Sequence, residues 1–266
     1  MKRLVLAAAV LTAFTSASHA GGSAVGEYDG TPIPPDFFTA PPGMSPARPY
    51  NWTGAYIGLN AGGGGGHTSW VSTPDGTTGS SGMSGGFFGG TLGYNLQAGN
   101  SPFVLGEEVD LARTSLRGRI PTIVGPIVSS NTGLVTGFGP VSCTPNCELS
   151  VPWLATARLR FGYSVDRVSP YFTAVMPYFT AGVSIARLEA GIVGTPLGTQ
   201  SKNNLSWTVG GGVEFVISDR WTAKLEYLHV DLDGFSCDTS CGANTVSMNT
   251  RENIFRAGLN FRMWNH

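Results

Sequence analysis

Along WTAKLEYLHVDL (221–232), Trp221, Ala223, Leu225 and Tyr227 fall on one face of an extended chain, and Thr222, Lys224 and Glu226 on the other. Strand side chains alternate between faces, so this stretch reads as a strand with one apolar and one charged side. Asn51–Gly62, Gly86–Gln97, Phe103–Arg113, Trp153–Tyr163, Tyr178–Leu188, Leu205–Val216 and Asn253–Met263 are further segments of suitable length, most of them alternating apolar with small or polar residues. With 221–232 as the seventh, that makes eight segments of roughly ten residues, the length of a tilted strand that crosses a bilayer.

Connections after even-numbered segments are mostly short, such as AGNSP (98–102) and ISDR (217–220). Those after odd-numbered segments are long: Gly63–Gly85, Thr114–Pro152, Glu189–Asn204 and Asp233–Glu252. The connection after the fourth segment is irregular, because PYFTAVM (170–176) is followed by the near-copy PYFTAGV (177–183). An odd offset puts the two copies on opposite faces of any one strand. The second copy is therefore expected in the strand and the first in the turn.

The charged faces carry Glu108 and Asp110 on the third segment, Arg158 and Arg160 on the fourth and Glu214 on the sixth. They add Lys224 and Glu226 on the seventh and Arg256 on the eighth. These are four acids and four bases. Were those faces turned to water, the apolar faces would need a partner layer, and no helical or second-sheet segment remains to supply it. If the sheet closes with its charged faces inward, every charge has a possible partner and every strand edge is paired. A buried ion without a partner costs several kcal/mol, so the matched count favours closure. The expected fold is all-β: an eight-stranded, antiparallel, up-and-down transmembrane barrel with short periplasmic turns and long extracellular loops. Charged residues make up 12% of the chain, about half the usual share of a soluble domain, which suits a surface not wholly in water.

Residues 1–20, MKRLVLAAAVLTAFTSASHA, read as a secretory signal peptide with cleavage after Ala20. Its apolar run is too short to span a bilayer, and no later stretch is long enough to do so. Residues 21–50 are rich in proline and read as a disordered periplasmic arm. Residues 51–266 form the barrel domain. Of 16 Lys and Arg, two lie in the leader, leaving 14 against 17 acids and a net charge of −3. That balance gives no reason to expect nucleic acid.

The motifs NWTGAYIGLNAG (51–62), LGYNLQ (92–97), VLGEEVDL (104–111), ARLRFGY (157–163), WTVGGGVEF (207–215), WTAKLEYLHVDL (221–232) and ENIFRAGLNF (252–261) occur in order. Through them the chain resembles the small outer-membrane β-barrel family of alphaproteobacteria, of rhizobial and Brucella type, and more distantly the OmpA barrel. The resemblance implies a Gram-negative outer-membrane location and a role as surface antigen and envelope-stabilising protein. Some members are called porins and others are linked to haem uptake. The chain departs from the family pattern at Glu107, a carboxylate where a lipid-facing apolar residue is usual. It departs again at its end, MWNH, where Phe261 or Trp264 stands in for the terminal aromatic read by the assembly machinery. Trp52, Phe161, Tyr163, Trp221 and Phe261 are the expected interface aromatics.

Cys143 and Cys147, and Cys237 and Cys241, lie in the second and fourth long connections. In an exported chain four cysteines allow three disulfide connectivities, and two local bonds are favoured. The sharper alternative is a four-thiolate zinc site, against which the oxidising compartment and the spacing argue. His67, with Ser69 and Asp75, and His229, with Asp231, are the candidate nucleophile–base–acid sets. Neither holds the three roles in one motif, so no enzymatic activity and no cofactor are expected. The glycine runs 62–66 and 210–212 lack the lysine and strand–loop–helix context of a phosphate cradle, and mark bends or room for bulky neighbours.

The expected function is structural and surface-interacting, with the lumen plugged by charge pairs among which Arg158, Arg160 and Lys224 meet Glu108, Glu214 and Glu226. The alternatives are a narrow porin or a ligand-uptake protein, for haem for instance, and a lipid-modifying barrel enzyme. Expected partners are outer-membrane lipid and lipopolysaccharide and the barrel-assembly machinery, with peptidoglycan or host surface molecules as further candidates. The Gly-, Thr- and Val-rich stretch GPIVSSNTGLVTGFGP (125–140) is the expected contact surface.

Overall fold

The computed structural model describes residues 50–263, apart from positions 74, 100, 130, 170–171 and 195–198. The leader, the arm up to position 49 and Trp264 lie outside the described residues. Nine strands account for most of the rest. They are β1 (Gly54–Thr73), β2 (Thr78–Gln97), β3 (Phe103–Val128), β4 (Val135–Tyr163), β5 (Val165–Ser169), β6 (Phe172–Ile192), β7 (Gln200–Val216), β8 (Trp221–Cys237) and β9 (Thr245–Arg262).

Apart from β4 and β5, neighbours in sequence pair antiparallel, β9 returns to β1, and β4 pairs β6, so the sheet closes into a ring. β5 adds no position to that ring. It resumes the course of β4 after Ser164 and pairs the foot of β6, with Val165 opposite Val175. The architecture is an eight-stranded antiparallel barrel. Closure leaves no free edge around the ring where the ladders run, which is how a sheet satisfies its backbone in lipid.

Two expectations about segment limits are corrected. The four long connections are strand over most of their length, and among the described residues they leave the strands at 75–77, 129, 131–134, 193–194, 199 and 238–244. Glycine, serine and threonine dilute the alternation there without ending it. On β1, Thr68, Trp70 and Ser72 are buried while His67, Ser69, Val71 and Thr73 are exposed. From Phe172 onward the first copy of the repeat also belongs to the strand rather than the turn, since β6 begins there. It is held there by β5 on one side and β7 on the other, Val175 standing opposite both Val165 and Phe215. The odd offset appears as opposite faces: Ala174 is buried inside, while its counterpart Ala181 lines the outer wall beside Leu159.

From the short-turn end upward, the outer wall carries Phe103, Leu105, Val109 and Leu111 on β3 and Phe161 and Leu159 on β4, all exposed. The interior is tiered. At the floor Trp52, Val104, Ala174, Met176 and Val216 pack together. Above them lies a polar layer, and above that an apolar core that includes Leu116, Ile120, Leu149, Leu188, Leu228 and Met248. At its top, Cys143 is bonded to Cys147 and Cys237 to Cys241, the two local pairs expected. The two bonds lie side by side, with Sγ of Cys147 3.9 Å from the carbonyl oxygen of Cys241, and Ser142 bridges to Gly242.

Candidate functional site: the polar layer of the lumen

All eight charged residues singled out from alternation lie inside the ring, and each is buried. Ladder register places several of them side by side. Glu108 stands opposite Arg158, Glu214 opposite Lys224, and Glu226 opposite Arg256. Acid–base pairs directly opposite on one face favour a register, so the sequence of each hairpin supports its own alignment.

The side chains then reach beyond their register neighbours. Arg158 donates to Glu108, Asp110 and Glu226, with 2.8 Å to Glu226 Oε1. Arg160 spans Glu214 at 2.6 Å and Glu108 at 3.3 Å. Arg256 meets Glu226, Asp110 at 2.9 Å and Glu108 at 3.4 Å. Lys224 Nζ donates to Glu108 Oε2 at 2.7 Å, across the lumen, rather than to its register neighbour Glu214. Glu214 accepts instead from Thr222 and, at 2.9 Å, from Asn260. Glu108 is thus the hub, touched by all four bases.

Two tyrosines complete the layer, and the charge pattern alone did not mark them as site residues. Tyr56 donates its hydroxyl to Glu108 at 2.9 Å and accepts from Arg160 at 2.6 Å. Tyr178 donates to Glu226 at 3.1 Å, while its ring lies 3.9 Å from the Arg160 guanidinium carbon, a cation–π contact. Their phase was the available signal: Tyr56 shares a face with Asn60 and Tyr178 with Thr180. Glycine makes the space they occupy. A Cβ on Gly93 would sit 2.3 Å from Tyr56 Cζ, and one on Gly212 would sit 2.7 Å from the Tyr178 hydroxyl. Asn60, Thr91 and Thr156 satisfy the remaining carboxylate oxygens of Asp110.

Trp52, expected at the membrane interface, is instead only 2% exposed and sits inside the foot of the barrel. Its indole donates to Ser164 Oγ at 2.8 Å, its ring meets Tyr50 edge-on, and Arg262 covers Tyr50. Gly54, with φ of +143°, lets the chain swing from beneath the barrel into its wall, a backbone conformation that glycine takes at little cost. The alternation of the first segment could not reveal this, because Trp52 precedes the strand. Phe161, Tyr163, Trp221 and Phe261 do lie on the outer surface. They form the clusters Phe103–Phe161, Phe103–Tyr163 and Trp221–Phe261, with ring centres 5.7, 5.5 and 5.0 Å apart. Phe103 is the member the sequence reading omitted.

The other candidates stay apart from this layer. Glu107 faces outward between Tyr94 and Leu159. His229 lies on the outer wall, bonded to Asn253 at 2.9 Å beside Trp207, and Asp231 pairs with Arg251. Asp75 accepts from Thr77 at the β1–β2 turn, and His67 and Ser69 are exposed along β1. The Sγ atoms of Cys143, Cys147 and Cys241 lie within 4.8 Å of one another, but all four cysteines are taken up in disulfides. Within the glycine run, a Cβ on Gly62 would meet Phe255 O at 2.1 Å, so close backbone approach accounts for that position.

Residues 40–262 match the outer membrane protein beta-barrel domain family. The chain is 31% identical to the 31 kDa outer-membrane immunogenic protein of Brucella melitensis, over 83% of this chain and 88% of that one. It is 24% identical to the 25 kDa outer-membrane immunogenic protein of the same organism, over 98% of each. Among solved structures, Neisserial surface protein A is similar over 79% of this chain and 98% of its own, with 15% identity and a TM-score of 0.41.

Proposed function

This chain belongs to the outer-membrane β-barrel family and resides in the outer membrane, and we propose that it serves there as a non-conducting structural anchor that presents its outer hairpins at the surface. One observation carries the reading: the charges of the polar layer pair with one another, with Glu108 meeting Arg158, Arg160, Lys224 and Arg256 at once. A pore lining needs charges that face water and exchange partners with passing solutes. Here each ion would have to lose buried partners to admit solute, at several kcal/mol apiece. Trp52 below and the apolar core above support the same reading.

The anchor also needs lipid contacts. Arg113, Arg117, Arg119 and Arg251 face outward above the apolar belt, where guanidinium groups suit the phosphates of lipopolysaccharide. Insertion calls for the barrel-assembly machinery. Peptidoglycan on the periplasmic side and host molecules at the hairpins are the further partners that this role would use.

The test is a planar-bilayer recording on purified, folded protein. The expected result is no steady conductance. A large, stable open-channel current would replace the anchor with a porin.

A further inference from the structure

β7 pairs β6 up to Gln200, and β8 pairs β9 up to Cys237, yet β7 and β8 pair with each other only as far as Thr208 opposite Val230. Above that point the two strands run on without a shared ladder. Trp207 packs beside the His229 ring at the foot of the seam, and near its top Lys202 Nζ reaches the Gly234 carbonyl at 3.2 Å and the Asp238 amide reaches Gln200 Oε1 at 2.8 Å. Parting the strands between these limits breaks no backbone hydrogen bond between them. The outer lip of the slot carries exposed Leu205 and Trp207.

One strand over from the lower end of this slot, on the inner face of β9, is Glu252, the register neighbour of Val230. It is 1% exposed and shares the inner face with Ile254, and neither carboxylate oxygen has a hydrogen-bond partner. Among the described residues no cation lies within ion-pair distance of it. Every acid of the charged layer below meets at least one base, so Glu252 is the exception. A buried carboxylate with no partner carries a desolvation cost that a proton or an incoming cation relieves. An apolar lip, an unladdered seam and one unpaired carboxylate one strand over suit a ligand with an apolar body and a positive head.

We propose that the β7–β8 slot admits a protonated primary amine borne on an apolar chain, with its ammonium paired to Glu252. The amine could belong to a membrane amphiphile or to a free polyamine, and the experiment separates the two. Folded protein in maltoside micelles is titrated calorimetrically with n-octylammonium and, separately, with putrescine. Saturable one-to-one binding of octylammonium is expected, weakened at least about tenfold in Glu252→Gln and Glu252→Leu and unchanged in Glu189→Gln, an outer-face control. Putrescine binding with the same dependence on Glu252 would keep the site and assign it to free amines. Leucine suits the apolar neighbours should glutamine prevent folding, and heat-modifiable gel mobility checks each barrel. Binding that ignores Glu252, or no binding by the unaltered chain, overturns the proposal.

Discussion

The lower and upper halves of this lumen are built on the same strands with opposite chemistry. On β8 the inward residues run Lys224, Glu226, then Leu228, Val230 and Leu232. On β3 they run Glu108, Asp110, then Ala112, Leu116 and Ile120. Both strands continue through the change, β3 with a register shift against β4 between Arg113 and Leu116. What changes is the solvent outside. Where lipid covers the wall, apolar side chains gain as much by facing out, and polar groups have only the lumen to go to. Where water covers it, burying apolar surface is worth roughly 25 cal/mol per Å² and the ordinary inside-apolar arrangement returns. The outer edge of the membrane is expected at the height where the inner face changes character.

That contrast can be broken at several points. The largest effect is expected from Glu108→Ala, which takes one carboxylate partner from each of four bases in the lower half and leaves Lys224 with none among the described residues. Breaking a buried pair by removing one partner costs about 3–5 kcal/mol, so the urea midpoint of the folded barrel should fall sharply; an unchanged midpoint would refute the hub. Leu116→Ala in the upper half should cost about 3 kcal/mol through a cavity. The same change at Leu111, two-thirds exposed on the lipid face, should cost less, and equal losses would mean that the upper core is not close-packed.

Gly93→Val should cost about 1–3 kcal/mol by displacing Tyr56, and a Gly93→Val, Tyr56→Phe double variant should not add the two losses. Reducing both disulfides should have the mildest consequence. Each closes a short loop worth about 2 kcal/mol in chain entropy, and both lie at the top of the upper core. Heat-modifiable mobility should persist while protease begins to cut the β3–β4 and β8–β9 hairpins. Loss of the barrel itself would show that the upper half holds up the lower.

The polar layer was legible because a period of two survives in any strand, so Glu108, Arg158 and Lys224 declared their face without coordinates. The upper half was not, because its alternation is carried by Thr68, Ser72 and Gly118 among other small residues, whose contrast with their neighbours is weak. Trp52 was misplaced for a different reason: its position depends on the bend at Gly54, which period cannot report. Glu252 escapes the period-two reading because it precedes by one residue the segment that begins at Asn253.

The sequence by itself determined which side chains share a face, that the apolar faces needed lipid, and that the charges balanced. Those properties are local, following from pleat and composition. Only the tertiary structure decided that Lys224 would turn from its register neighbour Glu214 to Glu108, and that Arg160 would lie between Tyr56 and Tyr178. These contacts cross the lumen. They depend on the stagger with which eight strands close, which no single strand encodes.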